Sequence, residues 1–479
     1  MDYNDYFSVD WFGDIKNTLA KNWYLNVEES CLMDIDTKNY LIIGAGASGL
    51  SVVKYLSAHA KQFRIMDTRE IPPNAKQIKS ILSKSCISFG EFNRAWIEQA
   101  DVIVLSPGVA PQIVEIQHAK KLGVEVIGDI ELFAKHVDKP YIAVTGSNGK
   151  STVATLVSDI INSQGKRAKA CANIGEPALN VINDDVDVFV LELSSFQLET
   201  CQSLSPFAST VLNISDDHLD RHETIEQYAS IKASIYNNAE NKILPRDIRA
   251  IKHLSNYQAD ITFGLDAPSG NHYGVLEDES GRWLVQGHRK IINSSELPLM
   301  GEVGELNVLA ALAIAQNFIH DEAKAVQAIK HFQGLAHRCQ LIAEHNRVLW
   351  IDDSKGTNVG ATVSAIRGFS KPLILIVGGI HKGGSLTDLC AAVKSQVDYV
   401  IAYGQDRQIF LDALSKDAEV IEATSLSECV ALAHQVALPG TAVLFSPACA
   451  SFDMFANYIE RGLAFKSAVQ AQLSGGPHG

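Results

Sequence analysis

From Tyr40 onward, short apolar runs alternate with longer stretches of helical periodicity. The alternation predicts repeated βα units and parallel sheets, since a parallel strand needs a crossover connection and is covered on both faces. The first strand begins at Tyr40, and others are expected at 63–66, 102–105, 141–144, 188–191 and 210–212. A later group follows at 348–351, 373–377, 399–402 and 443–445, with helical patterns at 228–238 and 307–314. Each of these strands ends in a polar or glycine-rich loop, on the sheet edge where such folds bind ligands. The expected class is α/β. Residues 1–36 lack this rhythm: they form an extension whose aromatics (Tyr6, Phe7, Trp11, Phe12, Trp23, Tyr24) either pack on a neighbour or leave a loose tail. The last residues read as a flexible tail.

The run at 141–144 feeds Gly146-Ser147-Asn148-Gly149-Lys150-Ser151-Thr152, after which a helical pattern starts. Such a loop suits a phosphate: glycines admit the backbone N–H groups, the helix N-terminus adds its dipole, and lysine adds a movable charge. The hydroxyl after the lysine can hold Mg²⁺. The ordinary phosphate loop has four residues between its glycines, whereas Gly146 and Gly149 enclose only Ser147 and Asn148. The loop therefore indicates a nucleoside triphosphate without naming the reaction.

Length changes the picture by implying about three domains, since 479 residues exceed one ordinary core. Hydrophobic residues at 46% and charged residues at 20% are ordinary for a globular protein. The net charge of −14 argues against nucleic acid or an anionic membrane as the main partner. Cys31, Cys86, Cys171, Cys201, Cys339, Cys390, Cys429 and Cys449 form no CxxC pair and read as small buried hydrophobes in a reducing compartment. No apolar run is long enough to span a bilayer, and the acidic, aromatic N-terminus is no signal peptide, so a cytoplasmic protein is expected.

Further candidates lie at strand ends. Gly44-Ala45-Gly46-Ala47-Ser48-Gly49 opens a helix, and Asp67 ends the next strand, which taken alone fits a nicotinamide or flavin site as well as another nucleotide. Ser106-Pro107-Gly108 ends the third strand. Glu192 and His218 follow neighbouring strands beyond the phosphate loop and could support Mg²⁺, which needs few protein ligands. Lys232, on a helix of mixed character, reads as a surface residue. Asp353-Ser354-Lys355-Gly356-Thr357-Asn358 and the glycine-rich stretch carrying Lys382 suit a carboxylate or phosphate. Cys449 has no evident base beside it in sequence.

Taken in order, these residues resemble the Mur ligases, the ATP-dependent amino-acid-adding enzymes of peptidoglycan precursor synthesis. The likeness runs from about residue 40 to 465 and includes Gly128-Asp129-Ile130-Glu131-Leu132-Phe133, the phosphate loop and Asn173-Ile174-Gly175. It continues through Glu192-Leu193-Ser194-Ser195-Phe196-Gln197-Leu198-Glu199 and Asn213-Ile214-Ser215-Asp216-Asp217-His218. Ala336-His337-Arg338, Asp353-Ser354-Lys355 and Ser446-Pro447-Ala448-Cys449-Ala450-Ser451 complete it. The Ser-Ser-Phe-Gln-Leu string points to the D-glutamate-adding branch, and the DNPR string of the diaminopimelate-adding branch is absent.

The resemblance implies three α/β domains after the extension: a Rossmann-like UDP-binding domain at 37–136, a central P-loop ATPase-like domain at 137–334, and a Rossmann-like amino-acid domain at 335–479. It replaces the dinucleotide reading of the first glycine loop. Ala47, Ser48, Asp67, Thr68, Arg69, Ser106, Pro107 and Gly108 match positions around the uridine and pyrophosphate, and Asn173, Ser194 and Gln197 match positions near the muramoyl group. The implied substrates are UDP-N-acetylmuramoyl-L-alanine, D-glutamate and ATP, joined through an acyl phosphate, with a monomer expected. Gly146, Ser147, Asn148, Gly149, Lys150, Ser151 and Thr152 would hold the triphosphate, and Asn307, Arg338 and Asp353 the rest of the nucleotide. Ser151, Glu192, His218 and Lys232, the last as a carbamate, would serve two Mg²⁺ ions. Thr357, Lys382, Ser451 and the backbone of Phe452 would hold D-glutamate. One stretch departs from the family: its usual Gly-x-His-Asn near the adenine reads Gly301-Glu302-Val303-Gly304 here.

Overall fold

The computed structural model describes residues 37–60, 62–246, 256–299, 301–369, 372–383 and 385–474. The aromatic extension at 1–36 and the tail at 475–479 lie outside the described residues. The chain forms two compact units; the later segments Pro177–Ile182 and Thr200–Ser203 pack with the first.

In the first unit five parallel strands stand in the order Ile87–Phe89, Gln62–Asp67, Asn39–Ile43, Val102–Leu105, Glu125–Gly128. Leu41, Ile43, Met66, Ile103 and Leu105 belong to one buried cluster, while Ile42 and Val104 are buried on the other face. Burial on both faces is why these strands are apolar throughout rather than alternating. The chain leaves the central strand Asn39–Ile43 toward Gln62–Asp67 on one side and later returns to Val102–Leu105 on the other. Outside those two carboxyl ends lies the crevice that such topology creates. Buried Glu131 ties in the later segment by accepting the N–H groups of Gln202 at 2.6 Å and Ser203 at 2.9 Å.

The second unit contains two sheets. In one, Tyr141–Thr145 lies between Val188–Glu192 and Ala208–Val211, all parallel. Its far edge turns antiparallel through Tyr273–Asp278, Gly281–Gln286 and Arg289–Asn293, hairpins that a purely βα rhythm did not anticipate. The helix Gly301–Ala315 is apolar on nearly every side because it is enclosed, its residues from Val308 to Ala315 all buried. In the other sheet the order is Gln340–His345, Val348–Asp352, Ala442–Phe445, Leu373–Gly378, Val397–Tyr403, Glu419–Glu422, parallel except for the first pair. The two halves of this unit touch where Gly301 (φ +65°) meets Gly368: a Cβ added to Gly301 would fall 2.3 Å from the Cα of Gly368.

Candidate functional site

In the first unit the glycine loop is shaped by close approach. A Cβ on Gly49 would lie 1.9 Å from the carbonyl oxygen of Gly44, and Ser106 Oγ donates to that same oxygen at 2.9 Å. Ala47 and Ser48 open the helix Ala47–His59, and Ser106, Pro107 and Gly108 follow the neighbouring strand Val102–Leu105. Asp67 is buried and fully engaged. Its Oδ1 accepts the backbone N–H and Nε of Arg69 (2.9 and 2.8 Å), and its Oδ2 accepts the Ala45 N–H and Arg69 Nη2 (2.7 and 2.6 Å). Burial pushes its pKa up, but these bonds outweigh it and hold it below the usual carboxylate value. A carboxylate so occupied does not suit the ribose-binding role of a dinucleotide fold. Exposed Arg69 and Thr68 are the groups this loop presents to solvent.

In the second unit the phosphate loop leaves Tyr141–Thr145 and enters the helix Lys150–Ser163, with Gly146 at φ +150° and Gly149 at φ +84°. Asn213 braces it: its carbonyl accepts the Ser147 N–H at 3.0 Å and its Oδ1 the Asn148 N–H at 2.8 Å. Lys150 Nζ donates to the carbonyls of Gly146 and Ser147, both at 2.9 Å. Burial lowers its pKa, against the opposing pull of Glu192. Ser151 Oγ donates to Glu192 Oε2 at 2.6 Å and accepts Arg338 Nη2 at 2.6 Å, while Asn173 Nδ2 donates to Glu192 Oε1 at 2.8 Å. Thr152 is buried in the first turn of the helix. Gly149 takes a left-handed backbone (φ +84°) that favours glycine, and Asn307 Oδ1 lies 2.6 Å from where a Cβ would stand.

Lys232 is not a surface residue. It is 1% exposed, its Nζ lying 3.3 Å from Thr145 Oγ1 and 4.6 Å from the centre of the Tyr228 ring. Desolvation, reinforced by the charge of Lys150, drives its pKa well below that of an ordinary lysine. His218 adopts a left-handed backbone (φ +55°), uncommon for a residue with a side chain, and its ring meets the Phe196 ring at 4.8 Å. Ser194 and Gln197 cap the short helix Ser195–Leu198 reciprocally, so bonds to each other occupy both.

The later sheet supplies the opposite wall. Lys382 Nζ lies 3.4 Å from Asp217 Oδ1 and 3.5 Å from Thr357 Oγ1, and Asn358 Nδ2 donates to Asp217 Oδ2 at 3.0 Å. Burial raises the pKa of Asp217, but Lys382, His218 and Lys150 overcome it and hold the carboxylate ionised. Asp353 faces inward, accepting the Cys339 N–H at 3.2 Å and Ser446 Oγ at 2.6 Å; burial pushes its pKa up to about 7. Lys355 is lowered to about 8, first by burial and then by Arg338. Ser451 is buried, whereas the Phe452 side chain is 71% exposed. Burial raises the Cys449 thiol to about 12, which disfavours the thiolate that a nucleophile would need. Asn213, Asp217 and Asn358 lie in stretches that the sequence marks out, but the pattern assigns them no role: Asn213 braces the phosphate loop, and Asp217 takes Lys382 and Asn358 as its partners.

A cavity of about 560 Å³ is lined by Asn148 and Gly149 of the phosphate loop, by Lys382 and Gly383, and by Glu302, Val303 and Asn307. Around it the chain matches known proteins along nearly its whole length. Residues 38–128 match the Mur ligase MurD-like N-terminal domain, 144–315 the Mur ligase middle domain, and 337–449 the Mur ligase glutamate ligase domain. The UDP-N-acetylmuramoylalanine–D-glutamate ligase of Methylobacillus flagellatus is 42% identical over 443 residues, 91% of this chain and 98% of that one. Its namesake from Nitrosococcus oceani is 39% identical over 438 residues, 91% and 97%. Among solved structures, the UDP-N-acetylmuramate-alanine ligase of Thermotoga maritima shares the fold at TM-score 0.56 and 18% identity, covering 91% of this chain and 99% of that one. The chain belongs to the Mur ligase family, whose three domains it carries in order.

Proposed function

We propose that this protein joins D-glutamate to UDP-N-acetylmuramoyl-L-alanine at the expense of ATP, a step in peptidoglycan precursor synthesis. The observation that carries the reading is the shared cavity: a phosphate loop and a lysine suited to a carboxylate face one volume. Phosphoryl transfer needs positioning and charge neutralisation more than covalent participation by the protein. Lys150 would move from the loop carbonyls to the β- and γ-phosphates, and Arg338 would complete the cationic collar. The γ-phosphoryl group passes to the alanyl carboxylate, giving an acyl phosphate and ADP. Lys382, Thr357, Ser451 and the Phe452 backbone hold D-glutamate, whose amine attacks the acyl carbon, and phosphate leaves as the amide forms. Closure of the two walls keeps water from the acyl phosphate.

The donor set fits Mg²⁺. Ser151 and Glu192 bring two hard oxygens within 2.6 Å of each other. That suits an ion that keeps its waters and takes substrate oxygens. Ser151 and Glu192 would hold one ion and Glu192, His218 and Lys232 would support a second, as a carbamate formed when the neutral amine adds carbon dioxide and releases a proton. When bound, Mg²⁺ supplies neutralisation of the phosphate charge. Supporting the carbamate is the burial of Lys232, which favours the neutral amine that such an addition requires. We place the enzyme in the cytoplasm as a monomer; among the described residues no helix is long and apolar enough to cross a membrane.

A phosphate-release assay with UDP-N-acetylmuramoyl-L-alanine and ATP, offering D-glutamate, L-glutamate and L-lysine in turn, tests the reading. Release with D-glutamate alone is expected; release only with another amino acid overturns the substrate assignment.

A further inference from the structure

Arg461, in the helix Tyr458–Ser474, is among the largest fully buried side chains, 1% exposed. Its Nη2 donates to the carbonyl of Ser354 at 2.8 Å, while Nε and Nη1 find no protein acceptor. The N–H of the same Ser354 residue is held by Asp352 Oδ1 at 2.8 Å, so Ser354 is pinned through both its backbone polar groups. Nη1 also packs against the next loop, 3.3 Å from where a Cβ on Gly379 would stand. There Ile380 and Ala450 exchange backbone hydrogen bonds of 3.0 and 2.9 Å, joining the loop that carries Lys382 to the loop that carries Ser451. One guanidinium thus lies beneath three loops, at the carboxyl ends of three adjacent strands.

Stability does not explain this arrangement. A buried cation with unsatisfied donors is costly, and an apolar residue of similar volume is often neutral or stabilising in such a place. We propose that Arg461 is a positioning residue that keeps the Asp353–Thr357, Lys382 and Ser451 loops in register for the nucleotide and D-glutamate. The inference rests on the reading of those loops given above. Buried beneath the loops, Arg461 acts through Ser354 and the Gly379–Ala450 crossing.

The test compares the full-length wild type with Arg461→Met and Arg461→Lys in the phosphate-release assay, alongside thermal melting and ADP titration by calorimetry. Expected for Arg461→Met is a KM for D-glutamate raised about tenfold or more and weaker ADP binding, with KM for the UDP substrate within about twofold of wild type. Arg461→Lys, which can still reach the Ser354 carbonyl, should recover part of the loss. A fall in kcat that follows the folded fraction, with every KM unchanged, would mean a structural role and overturn the proposal. If Arg461→Met does not fold, the Lys variant decides: a raised D-glutamate KM supports positioning and an unchanged one refutes it. Should the wild type release no phosphate with D-glutamate, the functional reading falls. The positioning role then stands or falls on whether ADP affinity differs between the variants.

Discussion

Asp353→Asn should remove a pH dependence of stability that originates in the later sheet. The carboxyl group is buried between the Cys339 N–H and Ser446 Oγ, and burial lifts its pKa from 3.8 to about 7, with Asp352 adding to the rise and Ser446, Cys339 and Arg338 opposing it. The folded protein therefore keeps this proton to near neutrality, whereas the unfolded chain releases it near 3.8. Between those values the native state binds more protons, so stability falls as pH rises. The contribution is fully present below the unfolded pKa and is lost as pH climbs through about 7. At about 1.4 kcal/mol per pH unit the whole span is worth roughly 4 kcal/mol, and roughly 3 kcal/mol of it falls between about pH 5 and pH 8. Asparagine can keep both bonds: its oxygen accepts from Cys339 and its amide donates to Ser446, whose hydroxyl already reaches Thr362 Oγ1 at 3.0 Å. Urea unfolding followed through Trp350, fully buried in the adjoining strand, in a background with the other tryptophans replaced, reads the effect directly. The wild type should lose roughly 3 kcal/mol more than the variant across that interval. Parallel pH profiles for the two proteins would refute the reasoning.

Other expectations concern the site. Lys150→Ala should lower turnover by about a thousandfold or more in the phosphate-release assay, because the transferring group loses its main protein counterion; near-normal turnover would mean that the loop is misread. Lys232→Ala should be inactive to a similar degree yet recover partly with added formate or acetate, which can enter the space left by the buried side chain; wild-type rates without any carboxylate would remove Lys232 from the site. Gly49→Ala should destabilise the first unit by roughly 2–4 kcal/mol, since its Cβ would stand 1.9 Å from the backbone oxygen of Gly44; an unchanged melting profile would count against that contact.

The parallel strands were legible because burial on both faces leaves an uninterrupted apolar run, and their carboxyl ends led directly to Gly146, Glu192 and Asp353. The hairpins between Tyr273 and Asn293 were not, because one exposed edge admits polar residues such as Glu277, Asp278 and Arg282 that blur the signal. Lys232 was misplaced by its own pattern: helical neighbours of mixed polarity hide the fact that its face turns inward. Only the ordered likeness to a family corrected this. Asp67 shows the converse, a residue whose sequence position suggests a ribose ligand but whose oxygens are already taken by Arg69 and Ala45. Asp217 shows a third limit, since its partners Asn358 and Lys382 come from far along the chain and no local spacing announces them.

The contact between Gly301 and Gly368 makes these two positions a single dial. Any side chain at Gly301 must displace the backbone it meets, so methyl, hydroxymethyl and isopropyl groups act there as wedges of increasing thickness. A graded series at this one residue would press the phosphate-loop wall and the lysine-bearing wall apart by increasing amounts without replacing any side chain that faces the cavity. The pair offers an engineer a spacer for trapping partly closed forms.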